Sequence, residues 1–73
     1  MKLATVNVVE VNNDGIMQVL SFDDSEEGNK EAEEIFRKLV IENGAVEVNI
    51  SDLIENGAYG DPFGYQVFIV HSS

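Results

Sequence analysis

The stretch LATVNVVEVNNDGIMQVLSF, residues 3–22, decides the fold class of this 73-residue chain. Two β-prone runs, Leu3 to Val11 and Ile16 to Phe22, flank the dipeptide Asp14-Gly15. Asp-Gly readily takes the positive φ angles that a tight hairpin turn requires. The stretch therefore predicts a β-hairpin. Because Val8 and Val9 are adjacent, the first strand is predicted either to be covered on both faces or to contain a bulge.

An amphipathic helix is predicted to follow the hairpin. Ser25 or Asn29 offers an N-cap, and acids in the first turn suit the positive end of the helix dipole. Gly44 predicts the end of this helix as a left-handed residue. The apolar residues fall at helical spacing on one stripe, formed by Ala32, Ile35, Phe36, Leu39 and Val40.

The C-terminal half predicts two further strands. Ala45 to Ile50 alternates apolar and polar residues, which is typical of a strand with one wet side. Ser51 to Asn56 predicts one helical turn, Ala58 to Gly64 a loop, and Tyr65 to His71 a last strand inside the sheet. Residues 1–73 thus predict one α+β domain, in which a four-stranded, mostly antiparallel sheet carries one helix on one face, in the order β-β-α-β-short turn-β.

The predicted strands carry apolar residues on both faces, whereas one helix covers only one face. An apolar face of more than a few hundred Å² is unusual on a monomer. The sequence therefore predicts a homo-oligomer, most simply a homodimer, or a partner protein that covers the second face.

Charge and composition exclude several classes of function. Fourteen acids against four Lys and Arg give a net charge of -10, which disfavours direct binding of nucleic acid or anionic membranes and would attract a basic protein. The longest apolar run is four residues, Val67 to Val70, far below the roughly 20 needed to cross a bilayer. No export signal is visible, and the chain has no Cys, which fits a reducing, cytoplasmic setting.

Two segments are candidate partner-binding surfaces. Seven of the fourteen acids lie within residues 23–34, where they form either a solvated helix start, a surface that mimics nucleic acid toward a basic protein, or a loose site for a divalent cation. The aromatic residues near the C-terminus form either a recognition loop or a cover over a small core. The candidate residues are Asp23, Asp24, Glu26, Glu27, Glu31 and Glu34 in the first segment, and Tyr59, Phe63 and Tyr65 in the second.

No combination of residues predicts catalysis, a cofactor or a metal site. His71 is the only histidine, and no nucleophile or acid is spaced to work with it. The segment around Asp14-Gly15 is comparable to a calcium loop, but Ser21 stands where such a loop needs its bidentate Glu. We therefore expect a protein without an active site. The least favoured alternative is an enzyme or ligand-binding domain that uses the loop Ala58 to Gly64.

Three segments carry a resemblance to known sequences. They are Gly28-Asn29-Lys30-Glu31-Ala32-Glu33 with Phe36, Glu42-Asn43-Gly44, and Val67-Phe68-Ile69-Val70-His71-Ser72. Together they make residues 3 to 72 resemble short, uncharacterised acidic proteins of bacteriophage and marine environmental sequences. The resemblance carries no known activity, and it implies a small accessory protein that works in bacterial cytoplasm.

These observations favour a non-enzymatic protein-binding module that self-associates through its sheet. The alternative is an acidic nucleic-acid mimic that inhibits a DNA-binding host protein. Steep salt dependence of partner binding would distinguish the mimic, because salt screens exposed charge.

Overall fold

A computed structural model describes residues 4–72 of the chain. The four strands form one antiparallel sheet in the spatial order β2-β1-β4-β3. The α+β fold class and the four-stranded antiparallel sheet are therefore confirmed, and two helices are present where the sequence predicted one helix and a single turn. In chain order the elements are β1 (Thr5–Asn12), β2 (Gly15–Asp23), α1 (Glu26–Glu42), a 3-10 turn (Glu47–Asn49), α2 (Ile50–Asn56), β3 (Ala58–Gly60) and β4 (Gln66–Ser72).

The predicted hairpin is confirmed. Gly15 has a φ of 120°, in the region that favours glycine, and the backbone N–H of Asp14 donates to Asn12 Oδ1 at 2.8 Å. A bulge is also present, but it lies between Glu10 and Val11 of β1 and not at the Val-Val pair. It leaves one extra residue on β2, so that strand bends at its start.

The long helix is confirmed from cap to cap. Ser25 Oγ accepts a hydrogen bond from the N–H of Gly28 at 3.1 Å, which satisfies one of the free donors at the start of α1. The helix ends before Gly44, whose φ is +99°. Ala32, Phe36 and Val40 are fully buried, so the predicted stripe faces the core.

The predicted strand from Ala45 to Ile50 is wrong. The N–H of Ala45 donates to Val40 O, and the N–H of Asn49 donates to Val46 O, both at 2.9 Å, so local turns use the backbone groups that a ladder would need. Val46 and Val48 are 59% and 81% exposed. Only Ile50 of the alternating set is buried, and it enters the core as the first residue of α2.

The third strand of the sheet lies in the segment predicted as a loop. Ala58–Gly60 forms β3 and pairs with residues 66–68 of β4, so the prediction of a loop over Ala58 to Gly64 is wrong at its start. A left-handed Gly57, with φ +70°, ends α2 and turns the chain into β3. The last strand lies between β1 and β3, which confirms its interior position.

The core lies between one face of the sheet and the two helices. Its fully buried side chains come from every layer: Val6, Val8 and Val67 from the sheet, Ala32, Phe36 and Val40 from α1, and Ile50 from α2. No helix in the described part of the chain packs against the opposite face of the sheet. Neither helix within residues 4–72 combines the length and the apolar character that crossing a bilayer requires.

Candidate functional site

One side of the sheet is a continuous surface that neither helix of residues 4–72 covers. In β1 the even-numbered residues point toward α1, and the odd-numbered residues point away from it. Cross-strand partners extend this pattern over the sheet, because directly opposed residues lie on the same face. We call this surface the open sheet face: Thr5, Asn7, Val9, Val11, Ile16, Val19, Ser21, Asp23, Ala58, Gln66, Phe68, Val70 and Ser72.

The open sheet face is mostly apolar, and its single charged side chain, Asp23, lies at its end opposite Thr5. Ile16, Val19 and Val70 are 69%, 50% and 45% exposed, and Val9 and Phe68 lie between them, half-buried. The chain as a whole has 25% charged residues, whereas only one of these thirteen positions is charged, which marks this face as different from the remaining surface.

The polar end of the open sheet face is hydrogen-bonded within itself. Asn7 Nδ2 lies 3.2 Å from Val70 O and 3.1 Å from Ser72 Oγ, and it donates to both. Asn7 Oδ1 in turn accepts from Ser21 Oγ at 2.6 Å. Because the amide already has its partners, another surface can cover Asn7 without leaving its polar side-chain atoms unpaired.

The predicted acids do not form one surface. Asp23, Glu27 and Glu31 line a groove of about 370 Å³ beside the end of β2, together with Ser21, Phe22, Ser25 and Gly28. Glu34 lies in a second groove with Lys30, Glu33, Arg37 and Ile54. Glu26 is exposed in the first turn of α1. The exposed side of α1 therefore mixes both signs of charge, since three of the four Lys and Arg residues belong to this helix.

Asp24 has a local structural role. Its Oδ1 accepts from Asn29 Nδ2 at 2.7 Å, and its Oδ2 lies 3.6 Å from His71 Nδ1. The hydrogen bond from Asn29, with a smaller contribution from His71, lowers the pKa of Asp24. The carboxylate thus joins the start of α1 to the end of β4. His71, the only histidine, has this carboxylate as its charged neighbour among the described residues.

The three aromatic candidate residues lie in different environments. Tyr59 and Tyr65 are half-buried, and the hydroxyl of Tyr59 donates to Asn43 O at 3.0 Å. Phe63 is 82% exposed. The turn beneath it is well held, because Asp61 Oδ1 accepts from the N–H groups of Phe63 and Tyr65 at 2.8 and 3.0 Å. These aromatics therefore lie partly against the core and partly on the surface.

A buried polar cluster was missed by the sequence reasoning. Glu10 is only 7% exposed, and its Oε1 accepts from Gln18 Nε2 at 2.7 Å while its Oε2 accepts from the hydroxyl of Tyr65. Burial, and then the neighbouring Glu10 carboxylate, raise the pKa of Tyr65. The sequence did contain one indication of this cluster, which is that the acid Glu10 follows Val6 and Val8 in the alternating row of β1 that faces the core.

The geometry of this cluster favours a structural role over a role in proton transfer. Tyr65 keeps its proton as a donor, and both oxygens of Glu10 are already occupied by protein donors. Within residues 4–72, no three of the His, Asp and Glu side chains come together in a way that could hold a metal ion. The open sheet face remains the feature with the clearest capacity to bind something.

Similarity to known proteins gives no further guide to the site. No protein-family model matches the chain, and neither a curated protein nor a solved structure is significantly similar to it.

Proposed function

We propose that this protein is a non-enzymatic protein-binding module that self-associates as a homodimer through its open sheet face. One observation carries the proposal: a wide, mostly apolar surface whose single charged side chain, Asp23, lies at its end, on a chain with a net charge of -10. Such a surface is costly to leave in water and has no evident purpose in a monomer.

The distribution of charge allows two acidic copies to meet. Repulsion between copies is weakest when their charges lie far apart. The exposed acids of α1 lie on the layer opposite the open sheet face, so a face-to-face dimer places them on its two outer surfaces. The contact itself then involves aliphatic side chains and the hydrogen-bonded polar end around Asn7.

The size of the face predicts a weak dimer. Four strands at about 4.8 Å spacing and about 25 Å length present roughly 450 Å² per copy. Two copies together would bury on the order of 1,000 Å², which is the lower end for specific interfaces. We therefore expect dissociation in the micromolar range and a dimer population that depends on protein concentration.

Sedimentation equilibrium over a range of concentrations tests this proposal. Val70→Lys puts a charge in the middle of the face, on an interior strand, and should convert the protein to a monomer. Val48→Lys is the matched control, because Val48 is 81% exposed on the 3-10 turn and should leave the dimer intact. Circular dichroism would establish that both variants are folded. A wild-type protein that stays monomeric at several hundred micromolar would refute the proposal.

The alternative of an acidic nucleic-acid mimic has less support. A mimic needs a continuous row of negative charges, and Lys30, Arg37 and Lys38 stand among the acids on the exposed side of α1. Capture of a DNA-binding protein at low salt, lost when the acids of residues 23–34 are neutralised, would favour it over the binding module.

A further inference from the structure

One long edge of the sheet is unpaired. β2 is the outermost strand in the order β2-β1-β4-β3, and within the described residues it pairs only with β1. Seven of its nine residues are exposed. The other edge, β3, is only three residues long and leads directly to Asp61-Pro62. β2 therefore presents the only long row of free backbone N–H and C=O groups in the described part of the sheet.

This edge has little of the protection that exposed strands usually carry. Charged side chains, Pro or a bulge normally prevent another strand from pairing at such a position. β2 has no charged residue and no Pro before Asp23. Its bulge lies near its start, opposite Glu10 and Val11, and residues 18–23 pair in unbroken register with β1. Six consecutive residues are thus regular enough to accept a further strand.

The surroundings of the edge are acidic. The groove between the end of β2 and α1 contains the carboxylates of Asp23, Glu27 and Glu31, and no basic side chain among residues 4–72 lines it. Asp14 stands at the opposite end of β2, in the hairpin turn. The chain has no Lys or Arg from residue 3 to residue 29. An added strand would therefore meet negative charge at both of its ends and along the side that faces α1.

We propose that the β2 edge binds an extended segment of a basic partner protein as a fifth strand of the sheet. Side chains of that segment would alternate between two environments. Those directed toward α1 would be Lys or Arg and would pair with Glu27 and Glu31, and those on the other side would be apolar and extend the open sheet face near Val19. This inference rests on the proposed function as a binding module, but it uses a different surface from the dimer contact.

A second copy of the chain fits this edge poorly. β2 itself contains no basic residue, so it offers nothing to the acids of the groove. Antiparallel pairing of β2 with its own copy around Val19 would also bring Asp23 and Asp24 of one copy beside Asp14 of the other. Such like-charge contacts oppose pairing.

The test uses a nine-residue peptide in which Lys and Val alternate, titrated into the full-length protein at about 0.05 M and 0.5 M salt, which changes the Debye length several-fold. Calorimetry gives the affinity, and amide chemical shifts locate the binding surface. We expect shifts concentrated at residues 16–23 and an affinity that falls at high salt. The decisive control is the same peptide N-methylated at alternate residues, which keeps its charge but cannot complete a ladder, and it should bind at least about 10-fold more weakly.

Protein variants provide the second arm of the test. Replacing Glu27 and Glu31 together with Gln should weaken peptide binding about 10-fold. Replacing Glu47 and Glu55 with Gln removes the same charge from exposed positions outside the groove and should change affinity less than about 2-fold. Equal binding of the methylated peptide, or shifts confined to the exposed side of α1, would overturn the proposal. The monomeric Val70→Lys variant should still bind the peptide. The two experiments therefore distinguish a failure of peptide binding at the β2 edge from a failure of dimerisation.

Discussion

Replacing Tyr65 with Phe removes a hydrogen-bond donor from a carboxylate that is almost buried. Glu10 is 7% exposed, and its remaining protein side-chain donor would be Gln18 at 2.7 Å. A hydrogen bond to a charged group contributes about 1.5–3 kcal/mol. Because Tyr65 is only half-buried and water can partly replace its hydroxyl, we expect a loss near the lower end, about 1.5 kcal/mol in the free energy of unfolding at pH 8.

The same substitution has a pH dependence whose sign follows from the pKa. Burial, followed by the Glu10 carboxylate, raises the pKa of Tyr65 in the folded protein. The folded state therefore holds this proton more tightly than the unfolded state does, whose tyrosine pKa is about 10. The stabilisation is complete below pH 10 and is lost as the pH rises above it. The difference in stability between wild type and Tyr65→Phe should thus shrink above pH 10, by up to about 1.4 kcal/mol per pH unit.

Urea denaturation followed by circular dichroism at pH 8 and pH 11 measures both effects. Tyr59→Phe is the matched control at pH 8, because the Tyr59 hydroxyl donates to a neutral carbonyl, that of Asn43, at 3.0 Å. It should cost less than Tyr65→Phe, in the range of about 0.5–1.5 kcal/mol. If Tyr65→Phe were no more damaging than Tyr59→Phe, or if its cost were the same at pH 8 and pH 11, the interaction with Glu10 would not have the strength that we assign to it.

Three further substitutions probe the packing of the fold, each by the midpoint of urea or thermal unfolding. Phe36→Ala empties a fully buried position and should cost about 3–5 kcal/mol, enough to unfold much of so small a domain, and a variant as stable as wild type would contradict the described core. Phe63→Ala, at an 82% exposed position, should change stability by less than about 0.5 kcal/mol. Gly28→Ala should destabilise although Ala favours helices by about 1 kcal/mol, because its Cβ would overlap with the backbone oxygen of Asp23, and a higher melting temperature would show that this overlap is absent.

Local signals predicted the elements whose geometry depends on local interactions. Asp14-Gly15 determines its turn through its own backbone preferences, and the apolar stripe of α1 repeats at the helical period. The uncovered apolar face could also be predicted from the sequence, because Val, Ile and Phe occupy both the odd and the even positions of the strands. These features depend on residues close to one another along the chain.

Long-range pairing explains what the sequence reasoning missed. Ala58–Gly60 has no strong strand preference and becomes β3 because β4 offers an unpaired edge there. Val46 and Val48 alternate as a strand does, yet their segment turns locally after α1 and stays outside the sheet. The Glu10–Tyr65 contact joins residues 55 positions apart, so no local pattern could reveal it.

The central position of β1 and β4 has a consequence for the kinetics of folding. Thr5 pairs with Ser72, so the two middle strands come from opposite ends of the described chain. The β1–β2 hairpin and α1 can form early, but the middle of the sheet closes only when the final segment arrives, after nearly the largest loop closure that this chain allows. Until then the inner edge of β1 is open to other chains. Refolding should therefore be slow for a domain of this size, and aggregation should compete most strongly before β4 docks.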